Sequence, residues 1–256
     1  MQKNAAAQIV VAVMLALSQL LALGKERTME HPTFYRTIQV DGLSIFYREA
    51  GPKDAPTLLL LHGLPSSSRM FEPLISRLSD RYHLIAPAHP ERVEALIVQD
   101  GVAHNEGLGA NWKTRREFWK DRAPNESALR TNLLSLQTTK TRHVGDDPNV
   151  EQYDPDLWTD EFYFINQPGQ AQIQSDLFYD YRTNVDAYPK WQAWMQKTQP
   201  KLLIIWGKHD LSFDLGEPER YRKDVPKAEV HVLDAGHFAL DTKADEIAGF
   251  VREFMK

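Results

Sequence analysis

Histidine and aspartate recur where short apolar runs of this 256-residue chain stop. The run at 57–61 stops at His62-Gly63, that at 93–98 just before Asp100-Gly101, that at 201–206 at Gly207-Lys208-His209-Asp210, and that at 229–233 before Gly236-His237. An imidazole titrates near neutral pH and can carry protons, and a neighbouring carboxylate can fix its tautomer, so acid–base chemistry is available at these positions. Turn-forming Asp and loop His are the plainer alternatives. The chain has no cysteine, which excludes a disulfide scaffold, a zinc-thiolate site and a Cys nucleophile. No metal-ligand spacing, phosphate-cradling Gly loop or dinucleotide fingerprint is present, so no metal and no cofactor is implied.

Those residues need elements to position them. Residues 34–40 and 43–47 flank Asp41-Gly42, a strong hairpin signal. Continuous apolar runs such as Thr57-Leu58-Leu59-Leu60-Leu61 and Lys201-Leu202-Leu203-Ile204-Ile205-Trp206 suit strands buried on both faces of a parallel sheet. Helical spacing predicts helices over 70–78 and 244–255, and short strands are expected at 82–86 and 93–98. Between 104 and 200 strand patterns disappear and aromatics are interspersed with polar residues, which reads as a helical insertion. The alternation implies an α/β core, residues 29–103 and 201–256, carrying a helical lid over 104–200. In such sheets functional groups sit beyond the carboxyl ends of the strands, where the His and Asp residues lie.

The segments His62-Gly63-Leu64-Pro65-Ser66-Ser67, Trp206-Gly207-Lys208-His209-Asp210, Asp234-Ala235-Gly236-His237-Phe238 and Ala88-His89-Pro90-Glu91-Arg92-Val93 resemble the α/β-hydrolase superfamily, in its lid-bearing epoxide-hydrolase and haloalkane-dehalogenase-like branch. The resemblance covers roughly residues 34–256. It implies an α/β-hydrolase fold with a mostly parallel sheet. It also implies a covalent mechanism on a small apolar epoxide or ester, with His237 as general base, Asp210 as its orienting acid, and a backbone N–H near Leu64 in the oxyanion hole. Leu64 cannot donate a side-chain hydrogen bond to halide, which argues against dehalogenation. Trp112, Tyr163 and Tyr179 are the lid aromatics that such a site would use for substrate, and packing in the lid's own core is the plainer alternative for them. His62 reads as a turn residue, and His209 receives no role.

The family's nucleophile has no counterpart. No two glycines are four positions apart, so G-x-S-x-G does not occur. Ala86-Pro87 meets the family-like Ala88-His89-Pro90-Glu91-Arg92-Val93 almost directly, where the family inserts a helix, the nucleophile strand and a second helix. Two crossovers of ~30 residues each would be merged into one link. That link must span ~20 Å and can reach at most ~23–25 Å when fully extended. The expectation is therefore a strained or rearranged sheet whose nucleophile strand is missing. Val98-Gln99-Asp100-Gly101 superficially mimics an Asp elbow, which makes Asp100 the substitute nucleophile to test, against a plain turn Asp.

Three readings follow: an impaired or inactive hydrolase, a non-catalytic protein that binds small ligands or a partner through its lid cavity, and a working enzyme with a displaced nucleophile at Asp100. A net charge of −5 implies no nucleic-acid surface. Residues 1–28 contain an apolar run after Lys3 and read as a secretory signal, giving a periplasmic or secreted protein, or as sequence upstream of a start at Met29, giving a cytoplasmic one. Gln8, Ser18 and Gln19 interrupt the run, so no stable membrane span is expected.

Overall fold

The computed structural model describes residues 31–40, 42–85, 95–109 and 112–256. The apolar run read as a leader and the short link at 86–94 lie outside the described residues. The strands are β1 (Phe34–Val40), β2 (Leu43–Glu49), β3 (Thr57–Leu59), β4 (His83–Ile85), β5 (Ala95–Gln99), β6 (Lys201–Gly207) and β7 (Glu229–Leu233). The α-helices are α1 (Glu72–Leu78), α2 (Lys113–Lys120), α3 (Arg122–Leu133), α4 (Leu136–Val144), α5 (Asp156–Ile165), α6 (Gln170–Asp180), α7 (Arg182–Thr198), α8 (Glu217–Asp224) and α9 (Leu240–Phe254). Helices α2 to α7 form the expected insertion between β5 and β6. Among the described residues, no helix is long and apolar enough to cross a membrane.

β1 and β2 pair antiparallel through the predicted two-residue turn, where Gly42 takes φ +80°. The parallel strands fall into two groups. β3 pairs with β4, and β5, β6 and β7 pair in that order. Among the described residues no ladder joins β3 to β5.

β6 is the centre of gravity because its apolar run alternates between two cores. Leu203 and Ile205 join Leu58, Leu84, α1 and α9 on one face, and Leu202, Ile204 and Trp206 join Tyr188, Tyr221 and the root of the lid on the other. Arg77 makes a paired contact with Asp245, at 2.7 and 3.1 Å, that ties α1 to α9. Apolar side chains are exposed beside the division in the sheet, as is Val232 on the edge strand β7, at 51%. Leu59 and Leu61, on one face of the β3 segment, are 36% and 61% exposed, and Ile97 on β5 is 36% exposed. Strands of an α/β sheet normally have both faces covered.

Candidate active site

Asp210 and His237 leave adjacent strands, β6 and β7, and their loops lie backbone against backbone. A Cβ added to Gly207 would come within 2.0 Å of the Gly236 carbonyl, so only glycine permits this approach. The Lys208 N–H donates to Leu233 O at 2.9 Å and the His209 N–H to Ala235 O at 3.0 Å, which clips the two loops together. A Cβ at Gly236 would in turn meet the His143 carbonyl at 2.0 Å, so the end of α4 presses on the His237 loop from the lid side.

The result is an aligned acid–base pair. His237 Nδ1 lies 2.9 Å from Asp210 Oδ2, and the Asp210 side chain is 1% exposed against 15% for the imidazole. Asp210 Oδ1 accepts from the Ser212 N–H at 2.6 Å and the Phe213 N–H at 3.4 Å. An ionised carboxylate only accepts, so Nδ1 carries the proton and Nε2 keeps its lone pair for a substrate or water. Phe213 meets the imidazole edge-on at 5.3 Å between centroids.

β5 brings a third group. Asp100, at φ +44°, is 3% exposed, and its Oδ1 accepts from the Gly207 N–H at 2.9 Å. Gln99 Nε2 donates to Asp100 Oδ2 at 3.1 Å and to the His237 carbonyl at 2.9 Å. Burial, and then the Asp210 charge, push the Asp100 carboxyl well above the usual carboxylate range. Side-chain atoms of Asp100, Asp210 and His237 lie within 4.8 Å of one another. Asp100 engages the Gly207 N–H and Gln99, and Asp210 engages the Ser212 N–H and the His237 ring, so each side chain of the cluster already has hydrogen-bond partners. Asp147, His209 and Asp234 form a second such group. There Asp147 is taken up by Tyr153, Gln152 and the Asn149 N–H, and His209 by Asp146 and Asp234.

The other sequence candidates are distributed unevenly. Trp112 is buried, donates from Nε1 to Ser212 O at 2.7 Å and stacks on Phe213 at 5.5 Å, so it reaches the pair through one ring. Leu64 and Tyr179 pack against a lid core of Phe118, Leu129, Leu133 and Phe178. The Arg182 guanidinium lies 3.8 Å over the Tyr179 ring. Tyr163 is 61% exposed and rests on Phe164. His62 is exposed, with Nδ1 3.0 Å from Gly63 O, in keeping with a turn residue. A cleft of about 810 Å³ on the lid is walled by residues including Arg116, Trp119 and Arg182, and none of its lining residues belongs to the acid–base pair.

Sequence reasoning missed Gln99, Phe213 and a lid–core contact close by. His143 on α4 sits between Asp241 of α9, at 2.8 Å, and Glu161 of α5, at 3.2 Å. Burial opposes a charge there, but the two carboxylates outweigh it and raise the imidazole to about 9.

The known proteins similar to this chain agree with the geometry. The family model for the alpha/beta hydrolase fold matches residues 84–244. An uncharacterized hydrolase of Saccharomyces cerevisiae is 30% identical, over 84% of this chain and 94% of that protein. A haloalkane dehalogenase of Bradyrhizobium diazoefficiens is 32% identical over 32% of this chain and 33% of its own length. The crystal structure of the Cif epoxide hydrolase from Acinetobacter nosocomialis superposes with a TM-score of 0.66 over 88% of this chain and 89% of that one, at 14% identity, a likeness of fold. With a matched family model, a full-length relative and an Asp–His pair at adjacent strand ends, this chain belongs to the alpha/beta hydrolase fold family.

Proposed function

We propose that the chain is an epoxide-hydrolase-like member of this family that keeps its acid–base pair, Asp210 and His237, but lacks the strand and turn that carry the nucleophile. Covalent hydrolysis of a small apolar epoxide or ester is then lost or reduced to direct activation of water. The observation that carries this reading is the division of the parallel sheet between β3 and β5 among the described residues, beside exposed Leu59, Leu61 and Ile97. The alignment with the yeast hydrolase supports it. It runs over 273 positions, whereas 84% of 256 residues is about 215, so about 58 positions of that relative face no residue of this chain. Two βαβ crossovers amount to ~60 residues.

The remaining pair can still move a proton. His237 Nε2 takes it from water while Asp210 stabilises the imidazolium, and the ~10³–10⁴-fold over water that sites lacking a triad member retain through their oxyanion hole and binding is an upper bound here. Asp100 does not suit attack on a substrate. It is buried, with both oxygens accepting hydrogen bonds. The epoxide hydrolase and dehalogenase named among the similar proteins support a small apolar substrate class.

The test is turnover of an epoxide and ester panel by the full chain, followed by intact-mass spectrometry. The expected result is no covalent adduct and turnover no more than ~10⁴-fold above water. A stoichiometric adduct mapped to Asp100, or to any other side chain, overturns the proposal.

A further inference from the structure

We propose that Asp100 is a neutral carboxylic acid that shares its proton with Asp210, making β5 the source of a positioning residue that holds the Asp210–His237 pair and leaves His237 facing one negative charge instead of two. The argument starts from crowding. Side-chain oxygens of Asp100 and Asp210 lie within 4.8 Å of each other, and both carboxyls are shielded from solvent. Two carboxylates that close in a dry pocket cannot both ionise. A proton between them turns the repulsive contact into a hydrogen bond.

The hydrogen-bond inventory decides which carboxyl keeps the proton. Asp210 accepts from the Ser212 N–H, the Phe213 N–H and the His237 ring, a set that favours an anion. Asp100 accepts from the Gly207 N–H and the neutral Gln99 amide, and no cation is among these partners. Burial and the Asp210 charge both act against its ionisation. Gln99 couples this acid to the imidazole's own backbone, because its amide also donates to the His237 carbonyl. The remaining charged groups facing the pair come from α9, α4 and α5. Asp241 is held by His143, which also meets Glu161, and the Phe238 ring stands between His143 and His237, 4.8 and 4.9 Å from each. These groups stay in place when Asp100 is changed.

The test is an NMR titration of the full chain with labelled histidine and aspartate, in wild type, Asp100→Asn and Asp210→Asn. Asparagine is also neutral and also donates a hydrogen bond, so Asp100→Asn should leave the His237 midpoint within about 0.3 pH units of wild type. Asp210→Asn removes the charge that opposes ionisation of Asp100, so the Asp100 carboxyl carbon should reach its ionised shift at a lower pH than in the wild type. In the wild type the Asp100 carboxyl carbon should keep its protonated shift near pH 6, while that of Asp210 shows the anion. A fall of about one unit in Asp100→Asn, or an Asp100 carbon already ionised near pH 6, overturns the proposal. The carbon shift is read on the unmodified chain, so it decides even where a variant fails to fold.

Discussion

Replacing His143 by glutamine should flatten the loss of stability above neutral pH. The imidazole bridges Asp241 on α9 and Glu161 on the lid, and its side chain is 7% exposed. Its folded-state pKa is raised from 6.5 to about 9. A raised histidine contributes stability that is fully present below about pH 6.5 and is lost as pH rises through about 9. Between those limits the folded state holds one more proton than the unfolded chain, so stability falls by ~1.4 kcal/mol per pH unit and by ~3 kcal/mol in all. His104 and His209 are raised as well, but they act equally in both proteins and cancel in the difference. The assay is urea unfolding of wild type and His143→Gln at about pH 6, 7.5 and 9. The stability gap should shrink by ~3 kcal/mol across the series. Curves that stay parallel, with a constant gap, would refute the argument that a charged His143 joins lid to core.

Gly207→Ala should destabilise by ~3 kcal/mol in urea, because the new methyl meets two backbone oxygens, 2.0 Å from Gly236 and 2.6 Å from Ala235. Glu217→Gln should cost ~3 kcal/mol in thermal unfolding, since the fully buried Glu217 accepts from the Ala103 and His104 N–H groups and faces the His104 ring. Leu61→Lys combined with Ile97→Lys should reduce binding of a hydrophobic dye and slow aggregation while changing stability by no more than ~0.5 kcal/mol, because both side chains are exposed. An unchanged dye signal would show that the exposed apolar surface lies elsewhere.

How much was legible depended on whether the signal was local. The 201–206 run announced β6, because a strand buried on both faces has to be apolar throughout. Asp41-Gly42 announced the hairpin for an equally local reason. α8 went unread because Glu-Pro-Glu-Arg-Tyr-Arg-Lys-Asp has little apolar stripe, and it is held instead by buried contacts of Glu217, Tyr221 and Asp224. Asp210 and His237 were legible through the family-like segments around them. Gln99 and His143 were not, since their partners lie 138, 98 and 18 residues away and no spacing marks them. Among the lid aromatics, sequence could not separate Trp112, which is buried beside Phe213, from Tyr163, which faces outward.

The alignment of Asp210 and His237 says little about turnover, and the sheet explains why. The close contacts that align the pair belong to β5, β6, β7 and the elements seated on them: the Gly207–Gly236 approach, the Lys208 and His209 clips, the Gln99 amide, and the end of α4. None of these contacts passes through β3 or the turn at Leu64. The division between β3 and β5 can therefore leave the acid–base half of a hydrolase site intact while removing support from the half that would present a nucleophile and an oxyanion hole. A well-ordered pair is thus expected whether or not the chain is active, and activity is decided by what stands in front of His237 Nε2. That is why covalent trapping, and not the geometry of the pair, separates the competing readings.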